Sequence, residues 1–198
     1  MTPQKQRVLI FAAAGISALA GIGFVGFVVT KTIRSIAHPS EPTADERKLL
    51  ITIESLAVHD VTRSPTATEH LQSTHEFDGT RRIEYTYRGD RSLYIFSQVQ
   101  VVPTSLSGMQ LVKMQELAMR AGFNAKLRVV PRPELLTFGD QRYAAMLERD
   151  DEAIGNLFIV RDGRVVHTLV ITGFYFDHPE NVAELFKVPM REAKKQVY

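Results

Sequence analysis

The residues in this chain that come nearest to a metal-ligand set are His70, His75 and Asp78, with His59 and Asp60 not far upstream. Their spacing works against that chemistry. Two histidines five residues apart do not share a helix face, and on a strand they point to opposite sides, whereas ligand pairs sit where both rings reach one point. A solvated loop explains the same residues, so no metal is expected. A second set could be assembled by folding: His167 on a strand, Asp177-His178 at a helix start, and the carboxylate of Glu148 or Glu184. Acid–base work needs such groups to converge, but an end-of-strand histidine and a helix-capping aspartate account for them equally well. No serine elbow, P-loop or dinucleotide fingerprint is present. The absence of cysteine removes disulfides, thiolate zinc sites and thiol catalysis together. No catalytic residue and no cofactor is therefore assigned.

Phe174-Tyr175-Phe176 is of a different kind. Alternation along a strand buries at most one side, so three successive aromatics leave at least one ring near the surface, where it becomes a candidate partner contact. The alternative puts Phe174 and Phe176 in the core and the Tyr175 hydroxyl in water.

These residues have to be positioned by a domain, and composition bounds what that domain is. Hydrophobic residues at 44% and charged residues at 23% of 198 are ordinary globular values. The net charge is only +2, and Arg81, Arg82, Arg88, Arg91, Arg128 and Arg132 are spread along the chain. No basic stripe with interleaved aromatics forms, so nucleic acid is not an expected partner. Arg191, Lys194 and Lys195 make a small basic C-terminal cluster, read as a solvated tail.

The first stretch of the chain sets the placement of everything after it. Val8 to Val29 is about 22 uncharged and mostly apolar residues, the length a helix needs to cross a hydrocarbon core roughly 30 Å thick. About a dozen are Val, Leu, Ile or Phe, which together favour insertion by about 4 to 7 kcal/mol before the glycines are counted. The bilayer is thus the first expected partner. A cleaved signal peptide is the main alternative, with Ser35-Ile36-Ala37 as its small-residue site, but its apolar region would be shorter and Lys31 and Arg34 intervene. Lys5 and Arg7 on a short flank without acids favour a cytoplasmic N-terminus and an extracytoplasmic domain. Within the span, Ala13, Ser17 and Gly21 recur at four-residue steps and make one face nearly flat, a candidate transmembrane helix contact and a route to a homo-oligomer.

The layout is then residues 1–7 as a tail, 8–30 as the transmembrane helix, 31–43 as a linker, 44–190 as one globular domain and 191–198 as a basic tail. Thr43 with Glu46 reads as a capping box, and Leu49, Leu50, Ile53, Leu56 and Ala57 predict a helix over Ala44 to Val58, against which the β-branched Ile51-Thr52-Ile53 argues. Leu71 to Phe77, Ile83 to Tyr87 and Leu93 to Val102 read as strands, with Asp78-Gly79 as a hairpin turn and Pro103 as a stop. Thr104 or Ser105 caps a helix that ends at Gly122 and covers the sheet with Leu111, Met114, Leu117, Ala118 and Ala121. Further strands are predicted over Ala125 to Val130, Arg142 to Glu148, and Asn156 to Arg161 paired through Asp162-Gly163 with Arg164 to Thr172. A last helix runs from Pro179 to about Phe186, stopped by Pro189. The sum is an α+β domain with a largely antiparallel, hairpin-connected sheet of about seven strands and packed helices.

This order of elements resembles the PsbP/MOG1-like group of α+β domains, on Glu76-Phe77-Asp78-Gly79, Glu84-Tyr85-Thr86-Tyr87, the long strand Tyr94 to Val102, the covering helix and the Asp162-Gly163 hairpin. The resemblance covers most of residues 70 to 187 and implies a sheet domain that works by binding, with no functional residue to carry over. The functional expectation is a single-pass, non-enzymatic protein whose extracytoplasmic domain binds or helps assemble a membrane-associated protein partner. Its alternatives are a hydrolase using histidine and carboxylate groups, favoured by their convergence, and a small-molecule or lipid-binding module, favoured by a closed apolar cavity.

Overall fold

Runs of alternating apolar residues separated by turn dipeptides build one antiparallel sheet, whose strands are β1 (Pro39–Ser40), β2 (Thr68–His75), β3 (Arg81–Arg88), β4 (Tyr94–Val101), β5 (Arg128–Pro131), β6 (Gln141–Arg149), β7 (Glu152–Asp162) and β8 (Val165–Thr172). The structure is a computed structural model that describes residues 39–90, 93–122 and 127–197. The apolar run Val8–Val29, with Ala13, Ser17 and Gly21, lies outside the described residues. Among the described residues no helix is long and apolar enough to cross a membrane.

The strand order is β1-β2-β3-β4-β8-β7-β6-β5, with every pairing antiparallel. Two meanders therefore meet along β4 and β8, from Tyr94 opposite Thr172 to Val101 opposite Val165. Among the described residues three α-helices complete the α+β fold: α1 (Ala44–Arg47), α2 (Ser105–Gly122) and α3 (Pro179–Val197). After β4 the chain crosses the sheet as α2 to reach the far edge at β5, and after β8 it returns as α3. One sheet face carries the larger core, in which Ile83, Tyr85, Ile95, Leu169 and Phe158 meet Leu49, Ile53 and Leu56 and the α3 residues Val182, Leu185 and Phe186. The other carries a smaller core beneath α2, of Val112, Tyr143, Leu157, Ile159, Val166 and Val170.

Among the described residues the sheet has eight strands rather than about seven, the added one being the two-residue β1 inside the expected linker. The expected helix over Ala44 to Val58 is not continuous. The capping box forms, with Glu46 N–H on Thr43 Oγ1 at 3.3 Å and Thr43 N–H on Glu46 Oε2 at 2.6 Å, but α1 stops at Arg47. A 3₁₀ turn then spans Ile53–His59. Tertiary partners win over helical spacing here: Ile51 N–H donates to Ser97 Oγ at 3.0 Å and Ile53 N–H to the Tyr85 hydroxyl at 3.3 Å. β-branched Ile51-Thr52-Ile53 gives up little helix propensity in exchange.

Pro189 does not stop the last helix either, because α3 continues through it to Val197 and takes Arg191, Lys194 and Lys195 with it. A proline inside a helix costs about 3 kcal/mol. Burying Met190 and Ala193 on the same stripe as Val182, Leu185 and Phe186 offsets this, a fully buried Met alone contributing about 1.5 to 3 kcal/mol. The β2–β3 connection is a five-residue loop, 76–80, with His75 opposite Arg81. The tight turns lie elsewhere. Gly163 and Arg164 join β7 to β8, and Asp150 and Asp151 join β6 to β7, both aspartates at positive φ (53° and 62°) in the handedness a two-residue hairpin demands.

Candidate functional site

The outer face of α2 departs most from an ordinary surface. Thr104 Oγ1 accepts from Ser107 N–H at 3.1 Å and starts the helix as its sequence predicts. The face that meets the sheet carries Gly108, Val112, Gln115 and Met119, at steps of four, three and four. Gly108 lets the helix approach closely, since a Cβ there would lie 3.1 Å from Arg161 Cδ. Gln115 docks the helix by polar contacts: its Nε2 donates to Gln98 Oε1 at 3.3 Å, and its Oε1 accepts from Thr168 Oγ1 at 2.9 Å. This choice of face turns Met114 and Leu117 outward, with 68% and 70% of their surface exposed, and Leu106 and Met109 with them. The expectation that Met114 and Leu117 cover the sheet is thus corrected. Methionines in such a stripe suit an adaptable apolar contact, because the unbranched thioether chain re-packs at little cost.

Beside α2, the floor of β3 and β4 is polar. Glu84 accepts from Gln72 and, at 2.6 Å, from Gln98 Nε2, while Gln98 Oε1 accepts from Gln100 Nε2 at 2.6 Å. Arg82 pairs with Glu76 at the lower end of the same face. Burial, the largest influence on Glu76, raises its carboxyl above the ordinary value despite that arginine. Glu84, Gln98 and Gln100 are buried and satisfy one another, so this row supports the docking of α2 rather than presenting free groups.

Phe174, Tyr175 and Phe176 follow β8, and Asn156 on β7 holds the last of them. Asn156 Oδ1 accepts from Phe176 N–H at 2.6 Å and its Nδ2 donates to Phe176 O at 3.1 Å, with the asparagine fully buried. Phe176 is 1% exposed and belongs to the core, and Phe174 is half-buried against it with ring centroids 5.0 Å apart. Tyr175 alone of the three faces water, at 45% exposure. Sequence alternation did not foresee this clamp, though a lone asparagine in an otherwise apolar strand was the available signal.

The other sequence candidates are not brought together. His70 contacts Gln72 at 3.2 Å on one sheet face, His75 ends the strand on the other, and His59 packs its ring on Phe176 at 5.0 Å. Among the described residues no three His, Cys, Asp or Glu side chains group to hold a metal ion. His167 is buried under α3, its ring edge-on to Phe186 at 6.3 Å and its Nε2 without a hydrogen-bond partner. Burial pushes its pKa down to about 4. His178 is exposed beside Asp177, Glu148 pairs with Arg128, and Glu184 pairs with Lys187.

No known protein family matches the chain, and neither does any curated protein or solved structure.

Proposed function

We propose that this is a single-pass membrane protein, anchored by Val8–Val29, whose extracytoplasmic α+β domain binds or helps assemble a protein partner in the same membrane. The outer face of α2 carries the reading: two large apolar side chains near mid-helix, Met114 and Leu117, stand in solvent on a rigid element. Tyr175 adds an exposed aromatic ring on a segment clamped at both backbone groups of its neighbour. A tether supplies what such a modest patch lacks, because confinement to one membrane raises the effective concentration of the partner.

The test is co-purification of the tagged full-length chain from native membranes. The double variant Met114→Ser with Leu117→Ser should lose associated protein several-fold at an unchanged membrane level, whereas Val188→Ser, an exposed apolar residue on α3, should not. Equal recovery from the double variant and the wild type would sink the assignment to α2.

A further inference from the structure

The described chain begins at one end of the sheet. Pro39 lies opposite Thr74, three residues before Phe77 in the β2–β3 loop, so along the strand the two are separated by only about 10 Å. Phe77 is 80% exposed, the most of any large apolar residue described. The loop that carries it abuts the start of α2: a Cβ on Gly79 would meet Pro103 Cγ at 3.5 Å, and Leu106, 63% exposed, is the second residue of the helix. Two large apolar side chains therefore project at the end of the domain where the chain arrives from its apolar run.

We infer that this end of the domain, through Phe77 and Leu106, seats on the lipid surface of the membrane that holds Val8–Val29. The inference rests on the anchored reading above and adds which end of the domain touches lipid. Reach favours one of the two ends. From Val29 to Pro39 the chain spans at most about 35 Å at full stretch. The opposite end lies a further eight-residue strand away, about 27 Å, so presenting it to the bilayer would consume most of that reach. Presenting the Phe77 end needs almost none.

Several of the charges at this end are paired. Arg81 meets Glu46, Arg82 meets Glu76, Arg161 lies 3.3 Å from Asp140 and Lys194 lies 3.5 Å from Asp162. The attraction is then apolar burial at the interface and persists on uncharged lipid, with little dependence on salt.

The absence of native cysteine gives a clean test with the full chain. Phe77→Cys, Leu106→Cys and Val58→Cys are each labelled with nitrobenzoxadiazole and reconstituted in phosphatidylcholine vesicles. Val58 is exposed and sits one residue from His59, which packs on Phe174 and Phe176 at the opposite end. The labels at 77 and 106 should shift to the blue and be quenched several-fold more than the label at 58 by lipids spin-labelled near the headgroup. Equal, water-like emission at all three sites overturns the inference, as does stronger quenching at 58. Blue-shifted labels at 77 and 106 that lipid quenchers do not reach also overturn it, since a second copy of the chain would then cover them. Carbonate washing of the same vesicles separates the two readings. A chain that washes off defeats the anchor and the seating together, whereas a retained chain with water-like labels defeats the seating alone.

Discussion

α2 and α3 are alike in length and lie on opposite faces of one sheet, but they spend their apolar residues differently. α3 turns Val182, Leu185, Phe186, Met190 and Ala193 inward on one stripe, and among its described side chains the large apolar residue left exposed is Val188. α2 fully buries Val112, half-buries Leu111 and Met119, and leaves Leu106, Met109, Met114 and Leu117 in water. A helix that turns nearly all of its described apolar residues inward is accounted for by folding. One that keeps four of them outside, while Gly108, Val112, Gln115 and Met119 make its contact with the sheet, carries apolar surface that packing within the fold does not use.

The difference can be broken most sharply at Phe186. Phe186→Ala should lower unfolding free energy by about 3 to 5 kcal/mol in urea titration, since the ring fills the space between Phe158, Phe138 and His167. A loss below 1 kcal/mol would mean that α3 is not the helix that holds the fold. Next in size is the response to acid. The native pKa of His167 lies near 4, below the unfolded value of 6.5, so its neutral ring supports the fold fully above pH 6.5. That support falls away as pH drops from 6.5 to 4, by up to about 3 kcal/mol. His167→Leu should flatten this part of the stability–pH curve, and an unchanged slope would place the ring in water.

Asn156→Ala should cost about 1 to 3 kcal/mol, because it orphans the buried N–H and C=O of Phe176 just before α3 begins. Hydrogen exchange at Phe176 should accelerate with it. The smallest effect belongs to α2. Met114→Ser and Leu117→Ser should each move stability by no more than about 0.5 kcal/mol, as exposed positions do. A larger loss would return these residues to a structural role and remove the contrast between the helices.

Much of the sheet was legible because period-two alternation and turn chemistry are local. β4, β7 and β8 fall within a few residues of their predicted bounds, and the Asp162-Gly163 signal marks the right hairpin with the two-residue loop displaced by one position, to Gly163 and Arg164. The Asp150-Asp151 turn was missed, since two aspartates at positive φ carry a weaker signal than Asn-Gly. The break after Arg47 depends on the hydroxyls of Ser97 and Tyr85, 46 and 32 residues away, which no local window contains.

The sequence by itself determined that alternating segments form an antiparallel sheet, that helices start at Thr104 or Ser105 and near Pro179, and that Tyr175 and its neighbours could not all be buried. Each follows from periodicities and backbone preferences confined to a few residues. Only the tertiary structure decided that β4 pairs with β8, that α3 runs past Pro189, and that α2 faces the sheet with Gly108, Val112, Gln115 and Met119. α2 carries apolar side chains nearly all round, so its own pattern permits more than one buried face. The choice was made by groups distant in the chain, Gln98, Arg161 and Thr168, and it is that choice which leaves Met114 and Leu117 exposed.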